Sequence, residues 1–246
     1  MEKHYCIVLR TADYKDYDKI LTLFSRSDGR IDAQARGARR LKSDIATAAQ
    51  LLSCGEYEFY KKGDKLFLTT ALIKQEFYHV QNDFDKFAAA CVMLELSDKL
   101  LQNTDDYEDL FLALIYALFA MEQGTLSHTQ ALAYFFARIV ERMGIFPAIG
   151  TCAVCGNETG GDPAAFSMEE GGEICGECAP HVATVSVPRS ALLSLVKMGG
   201  ARPQDIVQSA AGEQEAGSVI DLMSRYLENM MEVHLKTMKC FREKSL

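Results

Sequence analysis

The chain has 246 residues, 48% hydrophobic and 24% charged, which is enough to bury the core of one large domain or of two smaller ones. The N-terminal residues lack the charged and apolar segments of a secretory signal. The longest apolar run, residues 110–121, is shorter than the about 20 residues that a bilayer-spanning helix needs. These features predict a soluble, intracellular protein and argue against a membrane-spanning one.

The net charge of −8 is unevenly distributed along the chain. Residues 1–80 carry 14 Lys and Arg against 11 Asp and Glu, a net charge of +3, whereas residues 81–246 carry 12 against 23, a net charge of −11. Such an asymmetry predicts two parts with different partners. We therefore expect one domain over residues 1–80 and a second over residues 81–246.

The first part has the pattern of five short strands. Short apolar or alternating runs are separated by turn signals at residues 27–29 and 61–64, with no long helical pattern between them. Such strands favour a small closed barrel, because closure removes exposed sheet edges. The longest gap, after the third strand, leaves room for a short helix over residues 44–50. The predicted strands are residues 5–9, 20–24, 30–35, 50–60 and 65–73.

From residue 82 onward the apolar residues recur at helical spacing. Ser127 and Gln130 match a capping box, which marks a helix N-terminus. Arg138 and Arg142, on the helix that follows, are interpreted as solvated side chains. The predicted helices are residues 84–101, 107–122, 127–143, 188–196, a short one near Pro203, and a long last helix over residues 213–240.

Two pairs of cysteines form the most specific motif in the chain. Each pair is a CxxC sequence, and nineteen residues separate the pairs. Each pair can wrap a turn around one metal ion, and four thiolates complete a tetrahedral zinc shell with no open position. A redox-active CxxC is the alternative, but that motif occurs singly near a βαβ pattern. The pattern therefore predicts one structural Zn²⁺, bound by Cys152, Cys155, Cys175 and Cys178.

The other four cysteines (Cys6, Cys54, Cys91 and Cys240) are scattered among apolar neighbours, and we interpret them as buried free thiols. His181 follows the last CxxC closely, but a fifth ligand is not needed, so it is interpreted as a surface residue. The chain contains no GxSxG, Walker A or GxGxxG sequence. These observations do not favour an enzyme.

A basic run follows the third predicted strand. It has four cations and no acid in residues 36–42, and Gly37 lets the backbone turn sharply. Guanidinium groups suit phosphate, and barrels of this kind bind single strands with cations and aromatic side chains. The alternative is a merely solvated surface. The candidate DNA-binding residues are Arg36, Arg39, Arg40 and Lys42, with Lys61, Lys62 and Lys65 on the last hairpin. Tyr14, Tyr17, Tyr57 and Tyr60 are possible stacking residues, although each alone is more typical of a core or barrel-face position.

Taken together, these motifs resemble the RecO family of bacterial DNA repair proteins. The opening strands of that family resemble DYDKILTLF (residues 16–24) followed by Gly29 and Arg30. Its basic signature resembles ARGARR (35–40) with Lys42 and Ser43, and its zinc segment resembles GIFP (144–147), CAVCG (152–156) and CGEC (175–178). The order and spacing of these strings make the resemblance specific.

The resemblance implies an α+β protein: an N-terminal OB-fold β-barrel, then an α-helical domain with an inserted four-cysteine zinc finger at about residues 148–184. It implies a cytoplasmic, non-enzymatic recombination mediator, associated with the nucleoid when bound to DNA. Such a mediator binds single- and double-stranded DNA, anneals complementary strands, and with RecR promotes RecA loading onto DNA coated by single-stranded DNA-binding protein (SSB). Some members also bind the C-terminal tail of SSB.

Two other functions stay open from the residues alone. The first is a zinc-dependent, nucleic-acid-modifying enzyme, although such sites keep an open coordination position and place a Glu beside a ligand. The second is a protein-interaction scaffold whose barrel never touches DNA. The acidic second part leaves the extent of DNA contact beyond the barrel undefined.

Overall fold

The computed structural model describes residues 2–101 and 107–243 of the chain. By their internal contacts the residues form two compact units. One comprises Met1–Asn82 with Leu94–Leu112, and the other comprises Asp83–Met93 with Ala113–Leu246. Within the described ranges, no helix is both long and apolar enough to cross a bilayer.

The first unit contains a closed barrel of five strands in the order β1-β2-β3-β5-β4. All pairs are antiparallel except a short parallel pairing of β3 with β5, at Ala33 with Leu66 and at Gln34 with Phe67. This strand order is that of an OB-type barrel, which confirms the predicted fold. The strands are β1 (Glu2–Tyr14), β2 (Asp18–Ser25), β3 (Gly29–Ala35), β4 (Cys54–Lys62) and β5 (Lys65–Gln75).

The alternating pattern of the strands places one set of side chains in the barrel interior. Tyr57 is fully buried there, and its hydroxyl donates to the carbonyls of Ala48 and Ser53, each at 3.1 Å. Tyr57 is therefore a core residue, as the alternative interpretation of the tyrosines predicted, and it is not available for stacking. The predicted helix over residues 44–50 is a single 3₁₀ turn, Thr47–Ala49. The interior also contains Cys6, Val8, Leu21, Leu23, Ile31, Ala33, Phe59 and Leu68.

Helices make up most of the rest of the chain. The capping box is present, because the Ser127 hydroxyl accepts from the Gln130 amide while the Gln130 side chain accepts from the Ser127 amide. Helices α4, α5 and α7 pack against one another. The helices are α1 (Tyr78–Gln81), α2 (Phe84–Leu100), α3 (Tyr107–Glu122), α4 (His128–Arg142), α5 (Arg189–Gly199), α6 (Ile206–Ser209), α7 (Glu213–Met231) and α8 (Thr237–Arg242), with a 3₁₀ turn at Pro203–Asp205.

The last predicted helix, residues 213–240, is two helices. α7 ends at Met231 because Glu232 takes a left-handed conformation, φ 54°, which closes the helix in the way a glycine commonly does. α8 begins at Thr237. Neither glycine nor proline marks the break, so the sequence pattern did not predict it.

Two further corrections concern burial. Arg138 is only 2% exposed, and its guanidinium donates to the Gly199 carbonyl at 2.5 Å, so it is not the solvated residue that the sequence predicted. None of the eight cysteines forms a disulfide, but Cys91 is half-buried and Cys240 is exposed. Cys6 and Cys54 are buried as expected, and burial raises the pKa of each thiol to about 12.

Residues 148–187, which contain the four paired cysteines, are called the cysteine segment. This segment contains a small sheet in the order β7-β6-β8, which the sequence analysis did not predict. The strands are β6 (Ala164–Ser167), β7 (Gly172–Ile174) and β8 (Val185–Val187). Gly172 lies against Ala148, where an added Cβ would come within 2.6 Å of the Ala148 carbonyl oxygen. The sheet belongs to the second unit.

Candidate nucleic-acid interface and metal centre

Strand register brings three chain connections to one end of the barrel. Lys19 pairs with Ala35, so the turn between β1 and β2 lies beside the end of β3. The parallel pairing of β3 with β5 starts one residue after Lys65, so the hairpin between β4 and β5 lies there too. We call this set of residues, 14–18, 36–43 and 60–67, the basic end. OB-type barrels bind oligonucleotides through the loops between strands 1 and 2 and between strands 4 and 5, which correspond here to residues 14–18 and 60–67.

The basic run is fixed to the barrel at its first turn. Gly37 has φ 69°, and its amide donates to the Asp18 carboxylate at 2.8 Å. The other oxygen of Asp18 accepts from the Gln34 side chain at 2.6 Å. The Gly37 amide, helped by Gln34, holds the pKa of the Asp18 carboxyl below its ordinary value. Asp18 therefore stays ionised and positions the start of the loop.

Two more contacts tie the loop to the turn between β1 and β2. The Arg39 amide donates to the Tyr17 carbonyl at 2.9 Å, and its guanidinium pairs with Asp13 at 3.3 Å. The Arg40 guanidinium carbon lies 5.4 Å from the centroid of the Tyr17 ring. The ion pair is exposed and thus weak, so Arg39 remains able to exchange Asp13 for a phosphate.

Arg36 connects the loop to the hairpin. Its guanidinium carbon lies 4.1 Å above the centroid of Phe67, and a guanidinium nitrogen donates to the Tyr60 hydroxyl at 3.3 Å. Tyr60 and Phe67 stack at 5.0 Å. Lys62 pairs with Lys65 across the hairpin turn. The structure thus places the two predicted groups of cations side by side.

All seven predicted DNA-binding cations are exposed. Arg39 pairs with Asp13, and the other six form no ion pair with any residue in ranges 2–101 and 107–243. Three of the four tyrosines also remain exposed: Tyr14 at 37%, Tyr17 at 54% and Tyr60 at 38%. Neighbouring cations that lack paired acids repel one another unless an anion joins them, so this surface suits a polyanion.

Sequence reasoning missed the residues that organise this surface. Asp18 and Phe67 position Gly37 and Arg36, but they lie far from them in sequence. Only the strand register brings these residues together, and no local spacing could have shown it. Asp18 is the first residue of β2, and an acid at such a position is normally interpreted from sequence as an ordinary turn residue.

The four cysteines of the paired motif converge in the second unit. Their sulfur atoms all lie within 4.8 Å of one another, and the sulfurs of Cys155 and Cys175 are 3.6 Å apart. Four sulfurs at 2.3 Å from a tetrahedral metal lie about 3.8 Å from each other. The donor set therefore fits one tetrahedral thiolate-bound ion. His181 is exposed and lies outside this cluster.

Backbone turns aim the sulfurs inward. The Gly156 amide donates to the Cys152 carbonyl at 2.9 Å, and the Ala179 amide donates to the Cys175 carbonyl at 2.9 Å. Backbone amides of Cys175 and Cys155 lower the pKa of the Cys152 thiol to about 6. Hydrogen bonds with the Cys175 and Cys155 side chains raise the pKa of Cys178 to about 12. Four adjacent thiols cannot all ionise alone, so the cluster needs a cation to become a thiolate set.

A buried acid supports this centre. Glu173, fully buried on β7, forms an ion pair with Arg189 at the start of α5 and accepts from the Gly150 amide. The Thr159 hydroxyl donates to it at 2.7 Å. The Glu173 carboxylate thus ties the loops on both sides of Cys152 to α5.

Comparison with protein families decides the relationship. A model described as "Recombination protein O N terminal" matches residues 1–76, and one described as "Recombination protein O C terminal" matches residues 81–239. The chain belongs to the RecO family. This confirms the resemblance drawn from the sequence, and the two RecO models together cover the barrel and the helical part.

Individual RecO relatives agree. "DNA repair protein RecO" of Acetivibrio thermocellus is 24% identical over 227 residues, 92% of this chain and 90% of the relative. The protein of that name from Desulfitobacterium hafniense is 30% identical over 183 residues, 74% of this chain and 66% of the relative. That from Bacillus cereus is 34% identical over 169 residues, 69% of this chain and 67% of the relative.

Proposed function

We infer that this chain is a non-enzymatic DNA repair protein that binds single- and double-stranded DNA at the basic end of the barrel. The observation that carries this inference is the meeting of seven exposed cations on an OB-type barrel, six of them without an acidic partner among the described residues. Family membership supports the same conclusion. The proposed phosphate contacts are Arg36, Arg39, Arg40, Lys42, Lys61, Lys62 and Lys65.

Such a surface suits strand annealing. Two complementary strands repel each other through their phosphates, and cations that neutralise phosphate reduce this repulsion. Phosphate contacts do not read base edges, so the bases stay available for pairing. Annealing therefore needs a sequence-independent grip of the kind that this loop and hairpin offer.

The proposed cellular role follows that of the family. On this proposal the chain acts in the cytoplasm with RecR and promotes RecA loading onto SSB-coated DNA, and it contacts the C-terminal tail of SSB. We assign the four cysteines to one structural Zn²⁺. The ion would fix the two CxxC turns, while the chain's own residues at the basic end bind DNA.

Annealing of two complementary oligonucleotides, one carrying a fluorophore and the other a quencher, tests the proposal. Arg39→Ala with Arg40→Ala should slow protein-dependent annealing about tenfold or more, since each lost phosphate contact weakens binding. Lys3→Ala with Lys74→Ala removes the same charge from barrel cations already paired with Glu58 and Glu56, and should leave the rate near that of the parent.

Two results would contradict the proposal. Equal annealing by the parent and the Arg39/Arg40 variant would show that the basic end is a solvated surface. No binding of a labelled single strand by the parent at low salt would favour a protein-interaction scaffold.

A further inference from the structure

One apolar side chain stands in the middle of the basic loop. Leu41 is fully exposed and lies between Arg40 and Lys42. A single exposed leucine is ordinary on a protein surface. Whether Leu41 has a role here depends on how the loop backbone positions it and on which side chains lie next to it.

The backbone holds Leu41 away from the barrel. The Arg40 amide donates to the Gly37 carbonyl at 3.0 Å, and the Ser43 amide donates to the Arg40 carbonyl at 3.2 Å, so Leu41 follows one turn and lies within the next. The contacts of Gly37 with Asp18 and of Arg39 with Tyr17 fix the loop at its base. A leucine on an unanchored loop could fold back onto apolar surface, whereas this one is presented to solvent.

The neighbours of Leu41 are suited to a nucleic-acid strand. Arg39, Arg40 and Lys42 offer phosphate contacts on both sides of it, and all three are exposed. The ring of Tyr17, 54% exposed and near the Arg40 guanidinium, offers a face on which a base can stack. A strand bound by cations on both sides of Leu41 would run close to its exposed side chain.

We propose that Leu41 is an apolar wedge that enters between two neighbouring bases of a DNA strand held by the basic loop and unstacks them. Apolar side chains inserted between base steps are an established way to unstack nucleic acid. The proposal rests on the proposed DNA binding at the basic end. A splayed base step presents its pairing edges, which is useful to a protein that anneals strands.

The test uses a single-stranded oligonucleotide with one 2-aminopurine, whose fluorescence rises when it is unstacked. The full-length parent should raise the fluorescence on binding. Leu41→Ala should abolish most of the rise, yet lower affinity by less than about tenfold and leave the salt dependence of binding unchanged, because the phosphate contacts remain. Leu41→Phe should restore the rise. Leu72→Ala, at an exposed leucine of β5 outside the basic end, should behave as the parent.

Permanganate oxidation of thymines gives a second readout, because unstacked thymines react faster. If Leu41→Ala binds and gives the parent's fluorescence and permanganate reactivity, the wedge is wrong while DNA binding stands. If the parent does not bind the oligonucleotide, the proposed function fails and the wedge fails with it. Binding is followed by anisotropy in the same samples, so these two failures are distinguished.

Discussion

The basic end of the barrel and the cysteine centre satisfy their charges in opposite ways. In the cysteine centre the polar groups interact within the second unit. The four sulfurs lie next to one another, and the Glu173 carboxylate pairs with Arg189 and accepts hydrogen bonds from Thr159 and Gly150. At the basic end, six exposed cations have no acidic partner in the described ranges. On the proposed function, one metal ion would complete the first region, whereas the second would bind an external anion.

The difference shows how the two regions serve function. If the four cysteines bind one metal ion as proposed, the closed tetrahedral shell leaves no position for substrate, and their role is structural. At the basic end, the contacts within the protein mainly position the backbone and the side-chain stems. Asp18 binds a backbone amide rather than a cation, and Phe67 supports Arg36 from below, so the cationic groups stay available. Changes in one region should therefore affect stability, and changes in the other should affect binding.

The largest expected effect comes from Cys152→Ser. Removing one thiolate should abolish metal binding and unfold the cysteine segment, since structural zinc contributes about 10–16 kcal/mol in isolated zinc fingers. Metal analysis and thermal melting measure this. Cys240→Ser, at an exposed thiol outside the cluster, is the control and should melt as the parent. A Cys152→Ser variant that keeps one metal ion per chain and the parent's melting temperature would overturn the structural role.

Glu173→Ala should have the next largest effect. It leaves Arg189 without its buried partner, which costs about 3–5 kcal/mol for a broken buried pair and lowers Tm by about 10 °C. Glu169→Ala, at an exposed acid of the same segment, should change Tm little. DNA affinity measured below the melting range should be equal for the two variants. A Glu173 variant as stable as the Glu169 variant would show that the ion pair does not stabilise the segment.

A smaller effect is expected for Asp18→Ala. The loss of the contact with the Gly37 amide loosens the loop, so we expect a two- to tenfold loss of single-strand affinity, or about 0.5–1.5 kcal/mol. Asp16→Ala removes the same charge from an exposed position in the same turn, and should bind as well as the parent or slightly better. Fluorescence anisotropy gives both affinities. Equal affinity of the two variants would remove Asp18 from the positioning role.

The same contact predicts a pH dependence. The pKa of Asp18 is lowered in the folded protein, so its stabilising contact is fully present above the ordinary carboxyl pKa. The contact is lost as pH falls through the lowered value. The difference in unfolding free energy between the parent and Asp18→Asn should therefore shrink only in strongly acidic solution, which denaturant titrations at several pH values can measure. A difference that shrinks between pH 6 and 8 would contradict this assignment.

Local patterns predicted the strands, the capping box and the paired cysteines, because each depends on neighbours within one turn or strand. Long-range contacts account for what was missed. The burial of Arg138 depends on Gly199, and that of Glu173 on Arg189, neither of which a local pattern shows. The strands of the cysteine segment are three or four residues long, too short for an alternation signal.

The tyrosines of β4 also show where the prediction from sequence fell short. Tyr57 and Tyr60 are three residues apart on β4, so they point to opposite faces, and only Tyr60 reaches the surface. The alternation of side chains along a strand could have predicted that one of these tyrosines is buried and the other exposed. The seven cations were selected as candidate DNA-binding residues from their charge alone. Their convergence at one end of the barrel follows from the register of β3 with β2 and β5.

The most direct test of the account is the salt dependence of single-strand binding. Affinity for an oligothymidine, measured across a range of salt concentrations, gives the slope of log K against log salt for the parent and for Arg39→Ala with Arg40→Ala. If both arginines contact phosphate, the variant's slope should be shallower by about 1.4, since each single-strand phosphate contact contributes about 0.7. Metal content and Tm should not change. Equal slopes and affinities for the two proteins would contradict the assignment of DNA binding to the basic end.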